Sequence, residues 1–290
     1  MNNEQRKWVY LFVLAFIWGS SFILIKKSLI GLTPIQLGAL RTLIAGLFIL
    51  IIGFKSIKKI NKRHWKYIFF SSLLGTLFPA FFFAYAITGI DSSVASILNS
   101  MTSLNALIVG TLFFGVAFKR IQFAGVLIGL VGTLLLIIES SSLNPSQNYW
   151  YAIFVLVASL GYSFNVNIIK KYLSDISAMS ITVGHFTLLI IPVFFILVFS
   201  GFFVTIEFTA QTNSSLMYLV VLSIFGTGLA KIMFNKLIQI SSPVFSTSVA
   251  YLIPIVAIIW GYSDGEKVSF LQLIAGTIIL VGIYIVNKGR

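Results

Sequence analysis

The sequence predicts an all-α polytopic membrane protein with ten transmembrane helices arranged as two inverted five-helix repeats. Three observations carry this prediction. The chain is 58% hydrophobic and only 9% charged, with a mean hydropathy of +1.02, which is too few charges to solvate a soluble domain of 290 residues. Its apolar runs are each near the ~20 residues that cross a bilayer as a helix. Its basic residues fall in short clusters between those runs.

Ten apolar segments follow one another along the chain. They lack the period-2 alternation of barrel strands, so we expect helices. The first follows Arg6 and Lys7 as a secretory signal would, but it runs from Trp8 to Ile25 without an Ala-x-Ala cleavage pattern, which predicts a retained helix. The segments lie at about 8–25, 35–54, 66–88, 93–117, 121–138, 149–169, 178–200, 215–238, 243–262 and 270–287.

The loops between these segments differ in basic charge, which predicts the orientation. With a cytoplasmic N-terminus, the outside loops hold only Lys26, Lys27 and Lys267. This asymmetry is typical of the positive-inside rule. It predicts a multi-pass protein of the cell (inner) membrane with both termini in the cytoplasm. The inside segments hold Arg6, Lys7, Lys55, Lys58, Lys59, Lys62, Arg63, Lys66, Lys119, Arg120, Lys170, Lys171, Lys236, Lys288 and Arg290.

Several functional classes are excluded by composition and motif. The net charge of +13 is spread over inter-helix clusters and forms no contiguous basic face, so we expect no nucleic-acid partner. The absence of cysteine excludes disulfides and thiolate metal sites. No phosphate-binding glycine loop and no HExxH motif is present. We therefore expect neither an enzyme nor a bound cofactor or metal.

The two halves of the chain resemble each other. Residues 91–132 align without gaps onto 241–282, and Ser92, Gly115 and Gln122 match Ser242, Gly265 and Gln272. These matches predict one five-helix repeat over 1–144 and a second over 145–290. Because five is odd, the second repeat enters the membrane inverted, which is a transporter architecture with a site between the halves.

The sequence resembles the EamA-type drug/metabolite transporters. WGSSFILIK in the first helix, ALRTLIAGL in the second, SSPVFSTSVAYLIPIVAIIW in the ninth and DGEKVSFLQLIAGTIILVGIYIV in the tenth carry the resemblance, which covers essentially the whole chain. The first repeat departs from the second in having Leu104 and Val116 where the second has Pro254 and Glu266. The resemblance implies a ten-helix secondary transporter, often an exporter of amino acids or related metabolites.

Two ionisable residues occupy equivalent positions in the predicted halves. Arg41 lies about 10 Å below the outer end of the second helix, where it either snorkels to the headgroups or lines a polar cavity. Aligning Thr33 with Ser177 places His185 opposite Arg41. This pairing favours a cavity, with His185 as the best titrating candidate. The alternative role for a lone membrane histidine is a hydrogen-bonded packing residue.

Polar stripes run along three further helices. Thr227, Lys231, Asn235 and Gln239 recur every four residues in the eighth helix and predict a cavity-facing stripe. The fourth helix has Ser96, Asn99 and Ser103, and the sixth has Ser159, Tyr162 and Asn165. Packing between helices is the alternative role for each of these side chains. Trp18 and Tyr251 are predicted aromatic walls.

All seven carboxylates are predicted at or beyond helix ends. A cavity with Arg41, His185 and Lys231 but no acid repels organic cations and favours a small-molecule substrate with a carboxylate or phosphate. The predicted site is therefore Arg41, His185 and Lys231 for the anionic group, with Asn99, Asn165, Tyr162, Trp18 and Tyr251 around it.

The sequence thus predicts a permease that exports amino acids or related carboxylates by alternating access, with the lipid bilayer and its substrate as partners. Protonation of His185 would couple transport to protons, and downhill export is equally compatible. A carrier of phosphorylated sugars, nucleotide sugars or lipid-linked groups and a non-transporting scaffold are the alternatives. The sequence leaves the substrate, the coupling ion and the oligomeric state open.

Overall fold

The protein is a bundle of long helices. The computed structural model describes residues 2–117 and 119–288, so Arg290 of the basic set lies outside the described part. In those residues there is no strand, and the first nine long helices are long and apolar enough to span a membrane. The all-helical prediction is confirmed there. The long helices are α1 Asn3–Ser28, α2 Pro34–Lys59, α3 Lys62–Gly89, α4 Ser92–Phe114, α5 Arg120–Leu143, α6 Tyr149–Tyr172, α7 Ala178–Phe199, α8 Ala210–Ile240, α9 Phe245–Ser263 and α10 Phe270–Lys288.

Some helices extend beyond the apolar runs that predict them. Helix α8 begins at Ala210, five residues before the predicted 215, because the Thr209 side chain caps its first turn by accepting from the Thr212 backbone N–H at 3.2 Å. Helix α5 runs to Leu143, so Glu139 lies in its last turns rather than beyond its end. Capping, which hydropathy does not register, accounts for the α8 difference.

Successive helices run in alternating directions between two faces of the bundle. The acidic face carries Asp91, Glu139, Glu207, Asp264 and Glu266, and there the end of α1 meets the α9–α10 loop through Lys26 and Asp264 at 2.8 Å. At the opposite, basic face, Lys170 at the end of α6 donates to the Ser241 carbonyl after α8 at 2.6 Å. The basic face carries the lysine-rich α2–α3 junction, residues 54–62. The charge asymmetry of the sequence is therefore also an asymmetry of the folded bundle.

Helical irregularities recur at matching places in the two halves. Helix α3 contains a π-helical segment, Leu73–Leu77, and α8 contains another, Leu222–Leu229. Helix α4 is interrupted at Ser100 and the α9 region at Ser248. Both α4 and α9 lead into a glycine with positive φ, Gly115 at 76° and Gly265 at 85°. The paired positions are about 150 residues apart, the offset at which the two halves of the sequence align.

Helices α5 and α10 pack against each other through small residues. A Cβ atom on Gly132 would lie 2.8 Å from the Ile279 backbone nitrogen, and one on Gly282 would lie 2.6 Å from the Gly125 carbonyl oxygen. Only glycine permits this approach of the two backbones. The α5–α10 pair therefore contributes packing, whereas the cavity is lined by other helices.

Candidate functional site

A cavity with two lobes lies between helices of both halves. The larger lobe is lined from α1, α2, α3, α4, α6, α8 and α9 and offers about 60 Å³ to the centres of water-sized molecules. The smaller lobe offers about 30 Å³ and is lined from α1, α2, α3, α6 and α8. Both lobes share Trp18, Arg41, Tyr162 and Phe234. The lobes therefore meet at Arg41.

Arg41 is part of the cavity wall and is buried inside the bundle. Its side chain is 7% exposed, and its Nε donates to the Thr227 hydroxyl of α8 at 2.6 Å. This bond fixes the guanidinium from α2 against α8, and Arg41 lines both lobes. The structure thus places Arg41 where a charge-assisted hydrogen bond to an anion can form.

Lys231 lines the smaller lobe. The residue is 6% exposed, and its ammonium group donates to the Gly75 carbonyl of α3. An ammonium group carries three donor hydrogens, so this bond leaves two for other acceptors. Of the predicted polar stripe, Thr227 and Lys231 line the smaller lobe, whereas Asn235 bonds the Thr182 hydroxyl of α7 at 3.0 Å.

The π-helical segments supply backbone acceptors to the cavity. Gly75 lies in the segment of α3 and receives Lys231, and Gly226 lies in the segment of α8 and receives the Trp18 indole N–H at 2.9 Å. A π segment interrupts the regular i to i−4 bonding and is frequent at functional sites. Sequence reasoning missed both carbonyls, although a Gly-Thr pair at 75–76 and at 226–227 marks the two places.

Aromatic rings form much of the larger lobe. Trp18 meets Phe234 edge-on with ring centroids 4.9 Å apart, and Phe22 meets Phe83 in the same way at 5.5 Å. Phe83 in turn lies against Tyr162, with centroids 6.1 Å apart. Of the predicted aromatic walls, Trp18 lines the cavity. Tyr251 packs against the core and is not among the lining residues.

Small polar groups close the other side of the larger lobe. Asn99 lines it, and its Oδ1 accepts from the Thr102 hydroxyl at 3.3 Å. Ser246 and Thr247, from the interrupted start of α9, line the same wall. Sequence reasoning identified Asn99 but not Thr102, Ser246 or Thr247, because the break at Ser248 decides where the α9 residues point.

His185 and Asn165 form a polar cluster beside the cavity, outside its lining. His185 Nε2 lies 2.9 Å from the Ser71 hydroxyl, which donates to Asn165 Oδ1 at 2.6 Å. A Cβ atom on Gly75 would lie 2.2 Å from the Asn165 side chain, so the cluster packs directly against the π segment of α3. The structure therefore does not place His185 and Arg41 across one cavity, as the sequence predicted. His185 instead supports the segment whose carbonyl holds Lys231.

Replacing His185 with Gln is expected to leave substrate transport and its pH profile between about pH 5.5 and 7.5 in place. Glutamine keeps a polar group within reach of Ser71, and position 185 does not line either lobe. Uptake into proteoliposomes measured across that range tests this. A pH dependence present in the parent and lost in the variant would instead make His185 the proton carrier.

An ion-paired cluster lies at the acidic face beyond the larger lobe. Glu266 is 6% exposed and accepts from the backbone N–H and hydroxyl groups of Ser92 and Ser93 at 3.1, 2.6, 3.0 and 2.7 Å. Lys26 pairs with Glu266 at 2.9 Å and with Asp264 at 2.8 Å. We call these five residues the outer latch. It ties α1 and α4 of the first half to the α9–α10 loop of the second.

The bonds of the outer latch lower the pKa of Glu266. Burial alone raises that pKa, but the hydrogen bonds from Ser92, Ser93 and Lys26 outweigh it, so the pKa lies below the ordinary 4.5. Glu266 is therefore ionised at neutral pH. The corresponding position in the first half is Val116, so the basic face has no carboxylate at the matching place.

The cavity presents cationic and hydroxyl donors. Among the residues that the structure describes, no carboxylate lines either lobe, and no group of three His, Asp or Glu side chains could hold a metal ion. The donors are Arg41, Lys231 and hydroxyl groups, and the walls are aromatic. Fold and site together define a polytopic helical membrane protein with a central cationic cavity.

Comparison with known proteins places the chain in a family. The model of the EamA-like transporter family matches twice, over residues 6–138 and 149–288. The chain belongs to this family. Its members are transporters, so the membrane and transport predictions are confirmed at that level.

Individual relatives agree with this assignment. The inner membrane transporter YedA of Escherichia coli is 26% identical over 97% of this chain and 90% of its own length. The transporter YvbV of Bacillus subtilis is 24% identical over 96% of this chain and 90% of its own. A solved crystal structure with 14% identity matches 97% of this chain and 96% of its own, with a TM-score of 0.67, which shows the same fold.

Proposed function

We propose that this protein is a secondary transporter that exports small carboxylate-bearing metabolites, amino acids among them. One observation carries the proposal: the buried Arg41 guanidinium lies in an aromatic cavity that no carboxylate among the described residues lines. Such a site binds an anionic group through charge-assisted hydrogen bonds and disfavours organic cations. The substrate's apolar body would pack on Trp18, Phe83 and Tyr162, and Asn99 would contact its polar remainder.

The proposed mechanism is alternating access between inverted halves, 1–144 and 145–290. Three features support it: the two matches of the family model, the alternating helix directions, and the paired π segments in α3 and α8. A site at the interface of inverted repeats becomes accessible from either face when one half rocks against the other. The basic face would lie in the cytoplasm together with both termini, because the lysine-rich junctions gather there.

An amino-acid substrate would need partners for its ammonium group. The cavity offers hydroxyl and amide oxygens around Asn99 and the faces of aromatic rings. A carboxylate substrate without an ammonium group would need only Arg41 as its charged partner. Phosphorylated, nucleotide-linked and lipid-linked substrates remain the alternative class, favoured by the second cation, Lys231.

Replacing Arg41 with Ala is expected to reduce counterflow of the preferred carboxylate at least tenfold. The purified protein is reconstituted in proteoliposomes and offered labelled amino acids and small monocarboxylates. Removal of a charge-assisted hydrogen bond in a buried site typically costs about 1.5–3 kcal/mol, or roughly 10- to 150-fold in affinity.

Arg63→Ala is the matched control, because Arg63 is exposed at the basic face and pairs with Asp175. Saturable counterflow that is unchanged in Arg41→Ala would remove Arg41 from the site. Counterflow of phosphorylated compounds alone would move the proposal to that substrate class. A protein that exchanges none of these classes would contradict the transport proposal.

A further inference from the structure

The smaller lobe brings two cationic side chains together inside the membrane. Arg41 and Lys231 both line it, and they are 7% and 6% exposed. Burying an unpaired charge is expensive unless a partner of opposite sign neutralises it. The lobe therefore favours an anion more strongly than either residue would alone.

The described part of the chain supplies no carboxylate as that partner. Its acidic residues lie toward the two faces and none lines either lobe. The most deeply buried of them, Glu266, is committed to Ser92, Ser93 and Lys26. Where both groups are charged, solute anions would compensate them, and a monocarboxylate substrate provides only one negative charge.

The groups around the lobe are arranged as donors. Lys231 uses one ammonium hydrogen on the Gly75 carbonyl and retains two. Thr76 follows Gly75 in the same π segment and lines the lobe, and its buried hydroxyl has no hydrogen-bond partner within the described residues. Among the described contacts, Arg41 donates to Thr227 through Nε, and its other two nitrogens make no hydrogen bond. An ammonium, a guanidinium and an unpaired hydroxyl thus border one small space.

The smaller lobe is large enough for a small ion. The centres of water-sized molecules can occupy about 30 Å³ of it. A single water needs about 10–15 Å³ by the same measure. A monatomic anion fits this space, whereas the organic body of a substrate belongs in the larger lobe with its aromatic walls.

We propose that the Lys231 lobe binds a halide ion, with chloride as the abundant species, beside the carboxylate that the larger lobe takes. Lys231 and Thr76 would hold the ion. The inference extends the proposed function, since it divides the two cations of one cavity between two anions. Chloride would then be a co-ligand that neutralises Lys231 while Arg41 serves the substrate.

Thermal unfolding of the purified protein without substrate tests the halide site. Chloride is titrated against gluconate at constant ionic strength and pH. Chloride is expected to raise the Tm saturably, by roughly 5 °C at a hundredfold excess over its Kd. The response should vanish in Lys231→Gln and weaken several-fold in Thr76→Val, which loses only the hydroxyl.

Lys236→Gln is the matched control, because it lies on the same helix but lines neither lobe. Thr76→Val keeps the test decisive if Lys231→Gln does not fold. A parent protein without a chloride response, or variants with the parent's response, would overturn the proposal. A response to acetate but not to chloride would overturn it too and make the lobe a carboxylate subsite. Because the assay contains no substrate, its failure would leave the counterflow result on Arg41 standing.

Discussion

Replacing Glu266 with Gln is expected to open the cavity to thiol reagents added at the acidic face. Glutamine loses the charge that pairs with Lys26, and its amide group would meet the donors of Ser92 and Ser93 with one acceptor oxygen fewer. Leaving buried donors unsatisfied and breaking a buried ion pair weakens such a cluster by on the order of 3 kcal/mol. The outer latch would then no longer hold α1 and α4 to the α9–α10 loop.

Cysteine labelling measures this opening directly. The chain has no cysteine, so Ala250→Cys, in the wall of the larger lobe, provides a single reporter. Labelling by a membrane-impermeant methanethiosulfonate from the acidic face should rise at least fivefold when Glu266→Gln is added. Glu139→Gln is the matched control, since Glu139 lies at the same face and accepts from Ser269 at 2.9 Å without contacting the latch. Equal labelling with and without Glu266→Gln would show that the latch does not close the cavity.

The lowered pKa of Glu266 sets the pH range of this effect. A carboxylate whose folded-state pKa is depressed contributes stability that is fully present above its ordinary 4.5 and is lost as the pH falls through the folded value. The ratio of Ala250→Cys labelling in the parent to that in Glu266→Gln cancels the titration of the thiol itself. This ratio should therefore stay constant from about pH 8 to pH 5 and rise only below 4.5. A rise already between pH 7 and 5 would contradict the ionised latch.

Replacing Gly282 with Ala is expected to destabilise the protein, although alanine is the better helix former. The added Cβ atom would lie 2.6 Å from the Gly125 carbonyl oxygen and 2.6 Å from the Gly129 backbone nitrogen. These are backbone atoms of α5 and cannot rotate away. Overpacking of this kind costs about 1–3 kcal/mol, which would lower the Tm in detergent by roughly 5 °C.

Gly276 in the same helix is the matched control. A Cβ atom there would lie 3.6 Å from the Ile97 side chain, which is an ordinary contact. Gly276→Ala should therefore be neutral or stabilising by up to about 1 kcal/mol, the usual gain of alanine over glycine within a helix. Similar Tm values for the two variants would show that α5 and α10 separate without cost.

The positions of the polar side chains could be predicted only in part. Arg41 and Lys231 are identifiable because charged residues are rare within apolar spans and mark cavities or surfaces. Asn99 and Tyr162 fall on stripes that the structure turns into the cavity. His185 and Asn165 satisfy the same sequence criteria, yet they bond Ser71 beside the cavity. Spacing along a helix shows which residues share a face, but the neighbouring helix decides whether that face meets a cavity or another side chain.

The outer latch shows the same limit in a loop. Glu266 follows the end of α9, where a carboxylate is ordinarily solvated, and sequence reasoning assigned it no role at the site. The fold buries it against the first turn of α4, a contact across 174 residues of chain. Long-range pairing of this kind has no local signal.

By itself, the sequence determined the membrane class, the helical segments and the separation of basic from acidic loops, because hydropathy, run length and charge act locally along the chain. Only the tertiary structure decided which polar groups share the cavity, where the π segments free the Gly75 and Gly226 carbonyls, and how Glu266 joins the two halves. In a membrane, both lipid and protein core are apolar, so hydropathy cannot tell which face of a helix turns inward. That choice is made by packing between helices that are far apart in sequence.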